Sequence, residues 1–353
     1  MADTVLPLQN TAGPLANVSD TLVMSCPWTV EQWTSLDQRV SGRVLGTTTQ
    51  ANAAWEISRG GRRILRAFSS SFFLVTRFLP TLKRNQVNVV YAAVRYPDEI
   101  VDTFEIPRAR KLHELSQWEA HYERALLGVE PKDSIESGIP WILAGFAAIV
   151  REHGIPADHY RSFLDAMRRD VNPAPFGTMD QLIAEYIYGS AIVVGYFLAH
   201  IYGASDGSTL DDTYRSASDL AIALQLTNFA RDVAEDHTRG RLYIPLDCLA
   251  TEGIGPDDYL HPANARALER AIAAMVWRAE DLYESAARTV RAFAPDTRPA
   301  ISACIEVYRK LNLRMLQSGT SPLIRQSVPA SEKLRVLPPS KYWRVPLAYL
   351  GGL

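Results

Sequence analysis

Two stretches of this chain place oxygen ligands and arginines at helical spacing inside otherwise apolar surroundings. In LAIALQLTNFARDVAEDHTRGRLYIP, Leu220 to Pro245, the residues Gln225, Asn228, Asp232 and Asp236 step by three, four and four. At 3.6 residues per turn that puts them on one stripe of one helix. Their flanks are Leu224, Leu226, Phe229, Ala230 and Val233. A helix that is apolar nearly all round, with a single polar stripe, is buried and faces something polar inside the protein. Aspartates at i and i+4 repel each other on a bare helix. Two carboxylates and a carboxamide in line are hard oxygen ligands suited to Mg²⁺, which is commonly held by one or two carboxylates plus substrate phosphates. For this stretch alone, a solvated, charged helix end is the competing reading.

A second stripe shifts that balance. In VVYAAVRYPDEIVD, Tyr91, Arg95, Asp98 and Asp102 step by four, three and four among valines and alanines. Pro97 threatens a kink between Arg95 and Asp98. Two carboxylate pairs facing one cavity would hold divalent cations, and the cations would hold phosphates. Arg95 and Arg231 would meet the same anion by planar, forked hydrogen bonding.

PDEIVD and LQLTNFARDVAEDHTRGRLYIP closely resemble the two aspartate-rich motifs of the squalene and phytoene synthases. SSSFFLVTRFLP (Ser69 to Pro80) resembles the family's early serine-rich segment, MRRD (Met167 to Asp170) the stretch ahead of its central helix, and YIYGSAIVVG (Tyr186 to Gly195) that helix itself. The resemblance covers roughly residues 60 to 335. The chain reads as helix throughout, which predicts a single all-α domain, a helical array around a central cavity, and the resemblance sharpens this to the isoprenoid synthase fold. It also implies head-to-head coupling of two allylic isoprenoid diphosphates. Mg²⁺, with Mn²⁺ as a substitute, would be bound by Asp98, Asp102, Asn228, Asp232 and Asp236. Ser69, Ser71, Phe72, Arg95, Gln225, Arg231, Tyr243 and Arg325 would bind substrate, and Tyr91 and Tyr308 would stand near the reacting groups. Arg325 and Lys333 resemble the family's basic C-terminal segment. Tyr243 and Tyr308 read equally well as core tyrosines. The first-choice reaction is geranylgeranyl diphosphate to phytoene. Farnesyl coupling to squalene, presqualene diphosphate or dehydrosqualene is the alternative, with NADPH needed only for squalene. A non-catalytic prenyl-lipid-binding relative and a helical scaffold with acidic surface helices are the rivals from other classes.

The chain departs from the family pattern at two places. Ser70 stands where a lysine is common, and Arg62, Arg63, Arg66 or Arg77 would have to replace its charge. Gly189 stands where some members have tyrosine. Gly189, Ser190, Ala191 and Gly195 are expected to leave volume for an isoprenoid tail.

The rest of the chain positions these residues. Residues 1–28 read as an irregular arm, 29–335 as the helical domain and 336–353 as a proline-rich tail. That tail either packs on the body or touches a membrane surface. Residues 29–60 read as amphipathic helix, 108–128 as a solvent-facing helix with His113 and His121 on the surface, and 131–140 as a loop. Residues 206–219 read as a polar approach to the organising helix, and 263–293 and 301–316 as further helices. Tyr186 to Ser205 carries no charge and is long enough to span a bilayer. A buried central helix is the better reading, because no other segment matches it. With 353 residues, 47% of them hydrophobic, a sizeable core is available. A net charge of −2 argues against nucleic acid. Cys26, Cys248 and Cys304 lack paired or metal-type spacing, which fits a reducing cytoplasmic setting. No signal peptide is expected.

Overall fold

The computed structural model describes residues 28–128, 130–316 and 323–350, with side chains to residue 347. The expected N-terminal arm, apart from Trp28, and Cys26 lie outside the described residues. Among the described residues there is no strand, only an isolated antiparallel bridge between Ala204 and Phe293. Cys248 and Cys304 are free thiols.

The expected first helix is two, α1 (Val30–Leu45) and α2 (Gln50–Phe68), broken at Gly46. Thr29 and Gln32 form a reciprocal capping box at the start of α1. α3 (Ser70–Thr76) and α4 (Thr81–Asp102) follow, then α5 (Arg108–Leu127). The expected loop after α5 contains a helical turn, Pro131–Glu136, begun by a proline whose missing N–H costs nothing there. Next come α6 (Trp141–His153), α7 (Ala157–Val171) and α8 (Met179–Tyr202). α9 (Leu210–Arg231) already takes in most of the expected polar approach. The C-terminal part adds α10 (Val233–Thr238), α11 (Ala265–Thr289), α12 (Arg298–Arg314), α13 (Ala330–Val336) and α14 (Lys341–Leu350). His113 is exposed as expected, whereas His121 is half-buried.

The helices that carry the acids are clamped by close packing. α4 lies against α2, and α9 against α11. Gly61 of α2 makes the first contact possible, since a Cβ there would sit 2.4 Å from the Asn88 carbonyl oxygen of α4. A buried polar cluster fastens the second. Thr227 Oγ1 lies 2.8 Å from the Tyr283 hydroxyl and 3.2 Å from Asn312 Oδ1, while Asn312 Nδ2 donates to the Val276 carbonyl at 2.9 Å. This joins α9, α11 and α12 at one level, one residue before Asn228.

α8 is long and apolar enough to cross a membrane, but it packs on α4, α7 and α9 as a core helix. Residues Ile183–Ile192 are wound as π-helix. Here the structure corrects an expectation. Gly189 does not leave room for a tail, because a Cβ on it would meet the Ser162 carbonyl oxygen at 2.5 Å and Ala166 Cβ at 2.9 Å. Gly195 meets the Ala217 carbonyl oxygen in the same way, at 3.1 Å. The missing side chains are used by α7 and α9 to approach α8. Gly189→Ala should therefore destabilise the fold by about 1–3 kcal/mol through overpacking. Urea unfolding checks this, and an unchanged midpoint would return Gly189 to the cavity wall.

Candidate active site

α4 carries Tyr91, Arg95, Asp98 and Asp102 on one face and runs through Pro97 as one helix. A proline at position 97 leaves the carbonyl of residue 93 without its helical partner. The Tyr160 hydroxyl donates to that Ala93 oxygen at 2.6 Å, and Trp118 Nε1 donates to Tyr160 at 2.7 Å. Buried side chains from α7 and α5 thus replace the lost bond, which keeps Arg95 and Asp98 in register across the proline.

The second motif is not one helix. α9 ends at Asp232, whose φ of −103° and ψ of 17° leave the helical region, and α10 begins at the next residue. The four-residue steps survive the break. The Asp232 N–H donates to the Asn228 carbonyl at 2.9 Å, and the Asp236 N–H to the Asp232 carbonyl at 2.8 Å. Gly240, at φ +72°, then turns the chain so that the Arg241 N–H returns to the Asp236 carbonyl at 2.9 Å. Only a residue without Cβ takes that left-handed conformation readily.

That turn ties the motifs together. Arg241 Nη2 lies 2.6 Å from Asp102 Oδ1, and its Nε lies 3.9 Å from Asp170 Oδ1. Arg239 reaches Asp102 at 3.7 Å and Glu235 at 2.9 Å. On α4, Arg95 bonds Asp98 at 2.7 Å and also Glu99, whose side chain is fully buried. Arg231 bonds Asp232, with Nε 2.7 Å from Oδ1. Arg325 joins Asp232 at 3.0 Å and Glu235 at 2.7 Å. Each acid pair is thus met by arginine from its own segment and from a distant one.

These pairings do not neutralise the site. Burial, together with Asp102 and Glu99 nearby, outweighs Arg95 and Arg241 and pushes the Asp98 carboxyl up to about 7. Burial and then Asp232 push Asp236 up to about 7 as well. The Asp98 side chain still keeps 33% of its surface accessible. Asp98 is thus hemmed in by charge yet still reached by solvent on one side.

The remaining expected residues stand on these and the neighbouring elements. Ser69 caps α3, accepting from the Phe72 N–H at 3.3 Å, and is hydrogen-bonded to Tyr308. Burial raises the Tyr308 hydroxyl to about 12 and raises Tyr91 too. The Phe72 ring is 6.0 Å from Tyr91, and the Arg95 guanidinium stacks over Phe68 at 4.5 Å. Ser71 is half-buried on α3 and Ser70 exposed. Gln225 Nε2 contacts Ser190 Oγ of α8 at 3.4 Å, and Asn228 is half-buried. Lys333 is close enough to Arg231 that burial and this neighbour lower its pKa. Arg77 turns inward, donating to the Phe73 carbonyl at 3.2 Å and to Thr76 at 3.0 Å. Tyr243 stands behind the acids. Its hydroxyl donates to Asp170 at 2.6 Å beside Tyr186, which donates to the same carboxylate at 2.5 Å.

Asp170, Glu99, Arg239 and Arg241 were not singled out from the sequence. All four sit inside the quoted motifs, and the signal for Arg241 and Arg239 was a pair of cations just beyond an acid stripe that had too few of its own.

Among the described residues no three His, Cys, Asp or Glu side chains are gathered around one point. The donor set nonetheless fits a hard divalent cation. Mg²⁺ usually takes one or two carboxylates and completes its shell with water and phosphate oxygens. Asp98 and Asp236 are crowded carboxylates that a cation would relieve.

The squalene/phytoene synthase family profile matches residues 65–333. A 15-cis-phytoene synthase of Enterobacter agglomerans is 31% identical over 270 residues, covering 76% of this chain and 90% of the relative. A phytoene synthase of Rhodobacter capsulatus is 29% identical over 270 residues, 75% of each chain. Among solved structures, a dehydrosqualene synthase superposes with a TM-score of 0.68 at 23% identity, over 84% of this chain and all of the other. A squalene synthase of Alicyclobacillus acidocaldarius gives 0.62 at 22%, over 78% and 96%. The chain belongs to the squalene/phytoene synthase family, has the isoprenoid synthase fold and is a prenyltransferase that acts on isoprenoid diphosphates.

The raised Asp236 carboxyl has a consequence for stability. Between its unfolded value near 3.8 and about 7, the folded chain holds the proton more tightly, so this group's contribution is present at low pH and lost as pH rises through 7. Without metal or substrate, Asp236→Asn should gain stability relative to the parent as pH is raised from 5 to 8. Denaturation at both pH values measures this, and a constant difference would mean that Asp236 titrates normally.

Proposed function

We propose that this enzyme joins two geranylgeranyl diphosphates head to head, through prephytoene diphosphate, to give phytoene. The observation that carries the reading is the meeting of two acid-and-arginine faces, from α4 and from α9–α10, joined by the Arg241–Asp102 and Arg239–Asp102 pairs inside an all-helical body. The names of the relatives favour the C20 substrate.

Asp98, Asp102, Asn228, Asp232 and Asp236 would hold Mg²⁺, which supplies Lewis-acid charge for departure of diphosphate. Arg95 and Arg231 supply fixed positive charge beside the leaving group, where negative charge grows as the allylic C–O bond breaks. Arg325 and Lys333 extend this positive rim from the C-terminal segment. Ser69 and Ser71 offer hydroxyl donors at the start of α3, and Gln225 offers a carboxamide from α9. Tyr91 and Tyr308 line the space beside the diphosphates. Their raised pKa values keep them neutral, so they orient the substrate without adding charge. The double bond of the second substrate attacks the allylic cation and a proton is lost, giving the cyclopropylcarbinyl diphosphate. A second ionisation, rearrangement and proton loss yield the conjugated triene. The apolar walls around both stripes exclude water, which would quench the cation.

Purified protein with Mg²⁺ and geranylgeranyl diphosphate, without NADPH, should give a C40 triene on lipid extraction and mass analysis. Product from farnesyl diphosphate alone would move the specificity to C15, and NADPH would then distinguish squalene from dehydrosqualene. No product from either would overturn the reading. Asp98→Asn and Asp232→Asn should each lower kcat by about a hundredfold or more. Both should also abolish the rise in Tm that Mg²⁺ with inorganic diphosphate gives the parent protein.

A further inference from the structure

One face of the molecule is basic and apolar at once. Residues 57–97 contain eight arginines and lysines and no aspartate or glutamate, and the chain after Glu332 contains four and again no acid. The protein as a whole is slightly acidic, so this is a segregation of charge. Arg77 and Arg95 turn inward, and Lys83 and Arg59 pair with Asp296 and Glu56, but the fold brings the rest of the first stretch together with the second. Arg59, Arg62, Arg63 and Arg66 stand at i, i+3, i+4 and i+7 of α2, one face of the helix. Burial and then Arg66 and Arg59 depress Arg62, and burial and then Arg62 and Arg344 depress Arg84, so these cations share one surface across α2, the start of α4 and α14. Arg344 Nη1 donates to the Arg77 carbonyl at 2.9 Å, which docks α14 beside the turn before α4.

α14 is seated by Val345, which packs on the core, and by polar anchors. Lys341 donates to the carbonyls of Arg335 and Leu337 at 3.3 and 3.2 Å, and Arg344 to that of Arg77. Tyr342, Trp343, Pro346 and Leu347 occupy the outward face, with Tyr342 78% and Trp343 58% exposed. Leu82, 68% exposed, lies two residues from Arg84, and Trp55, 49% exposed, carries the Arg59 guanidinium 4.5 Å above its ring. A soluble surface helix turns charged side chains, not these, to water. Aromatic and aliphatic side chains projecting from a field of arginines suit the headgroup layer of a bilayer, where Trp and Tyr sit with one end apolar and one wet.

We propose that the face formed by α14, the start of α4 and the outer stripe of α2 is a docking surface for a membrane bearing anionic phospholipid headgroups. Charge complementarity selects this occupant. A second copy of the chain would bring like charges together, whereas an anionic leaflet attracts each basic side chain near it. The apolar residues then enter the boundary between headgroups and acyl chains. Nothing in this depends on which diphosphate the enzyme uses.

Flotation of the full-length protein, without substrate, tests the surface. Vesicles of phosphatidylcholine with phosphatidylglycerol should carry the protein upward at low salt. Pure phosphatidylcholine should carry little, and 0.5 M NaCl should strip most of it from anionic vesicles. Arg59→Gln with Arg63→Gln should weaken anionic-vesicle binding by about thirtyfold. Trp343→Ala with Leu347→Ala should weaken it in a way that salt does not mimic. Unchanged Tm and circular dichroism of both variants keep a loss of binding from being a loss of fold. Equal flotation of parent and variants, equal binding to neutral vesicles, or no binding to either would overturn the proposal. So would a dimer in light scattering that disappears with Trp343→Ala while vesicles bind nothing.

Discussion

Negative charge is concentrated where two helix dipoles also end. Asp98 and Asp102 occupy the last turns of α4, and Asp232 is the C-terminal cap of α9, with Asp236 one turn beyond. A helix C-terminus carries partial negative charge of its own and disfavours anions. The same residues are enclosed by apolar packing, where an uncompensated charge is most costly. Helix polarity, like charges and burial therefore all act in one direction, and each makes the site demand cations. Arg95, Arg231, Arg239, Arg241 and Arg325 meet part of the demand. The raised Asp98 and Asp236 carboxyls show that part of it is left over.

Such a site is stable only if the backbone cannot relax to separate the acids. Proline in α4 and the break at Asp232 are the two points where it would do so. At the first, Tyr160 replaces the missing hydrogen bond and is itself held by Trp118. At the second, backbone bonds bridge the break, and the Arg241–Asp102 pair crosses from one motif to the other. Behind them Asp170 gathers Tyr186, Tyr243 and the flank of Arg241, so α7, α8 and the turn after α10 share one buried carboxylate. Removing one member of such a cluster leaves the others buried and unpaired, which is costlier than never having built it.

How much of this was legible in the sequence follows from the range of each interaction. The two acid stripes were legible because helical spacing and apolar flanks are local, and the family likeness fixed their order. The single all-α body followed from the same periodicity. The break at Asp232 was not legible, since the hydrogen bonds that preserve spacing across it conceal it from any periodicity. Nor was the direction in which Gly189 points. A glycine among small residues is compatible with a cavity or with a neighbouring backbone, and only the position of Ser162, on another helix, decides between them. Asp170 and Arg241 escaped notice for the same reason. Their meaning lies in partners dozens of residues away.

α4 connects two environments of opposite sign. Its first turns hold Lys83 and Arg84 and its last turns hold Asp98 and Asp102, 22 residues in all, or about 33 Å of helix at 1.5 Å per residue. Both charge placements oppose the helix dipole, so neither stabilises α4 as a helix. The stability comes from the packing of its apolar face, with Val87, Val89, Val90, Ala92, Ala93, Ile100 and Val101 buried. A helix held by its core in this way is free to carry charge at its ends for other purposes. The acidic end faces the second acid motif, where metal and diphosphate would bind. At the basic end Arg84 lies near Arg344 of α14, while Lys83 pairs with Asp296. An amphiphile with an anionic head and a long apolar tail meets favourable partners at each, and the intervening apolar residues separate the two fields that would otherwise cancel.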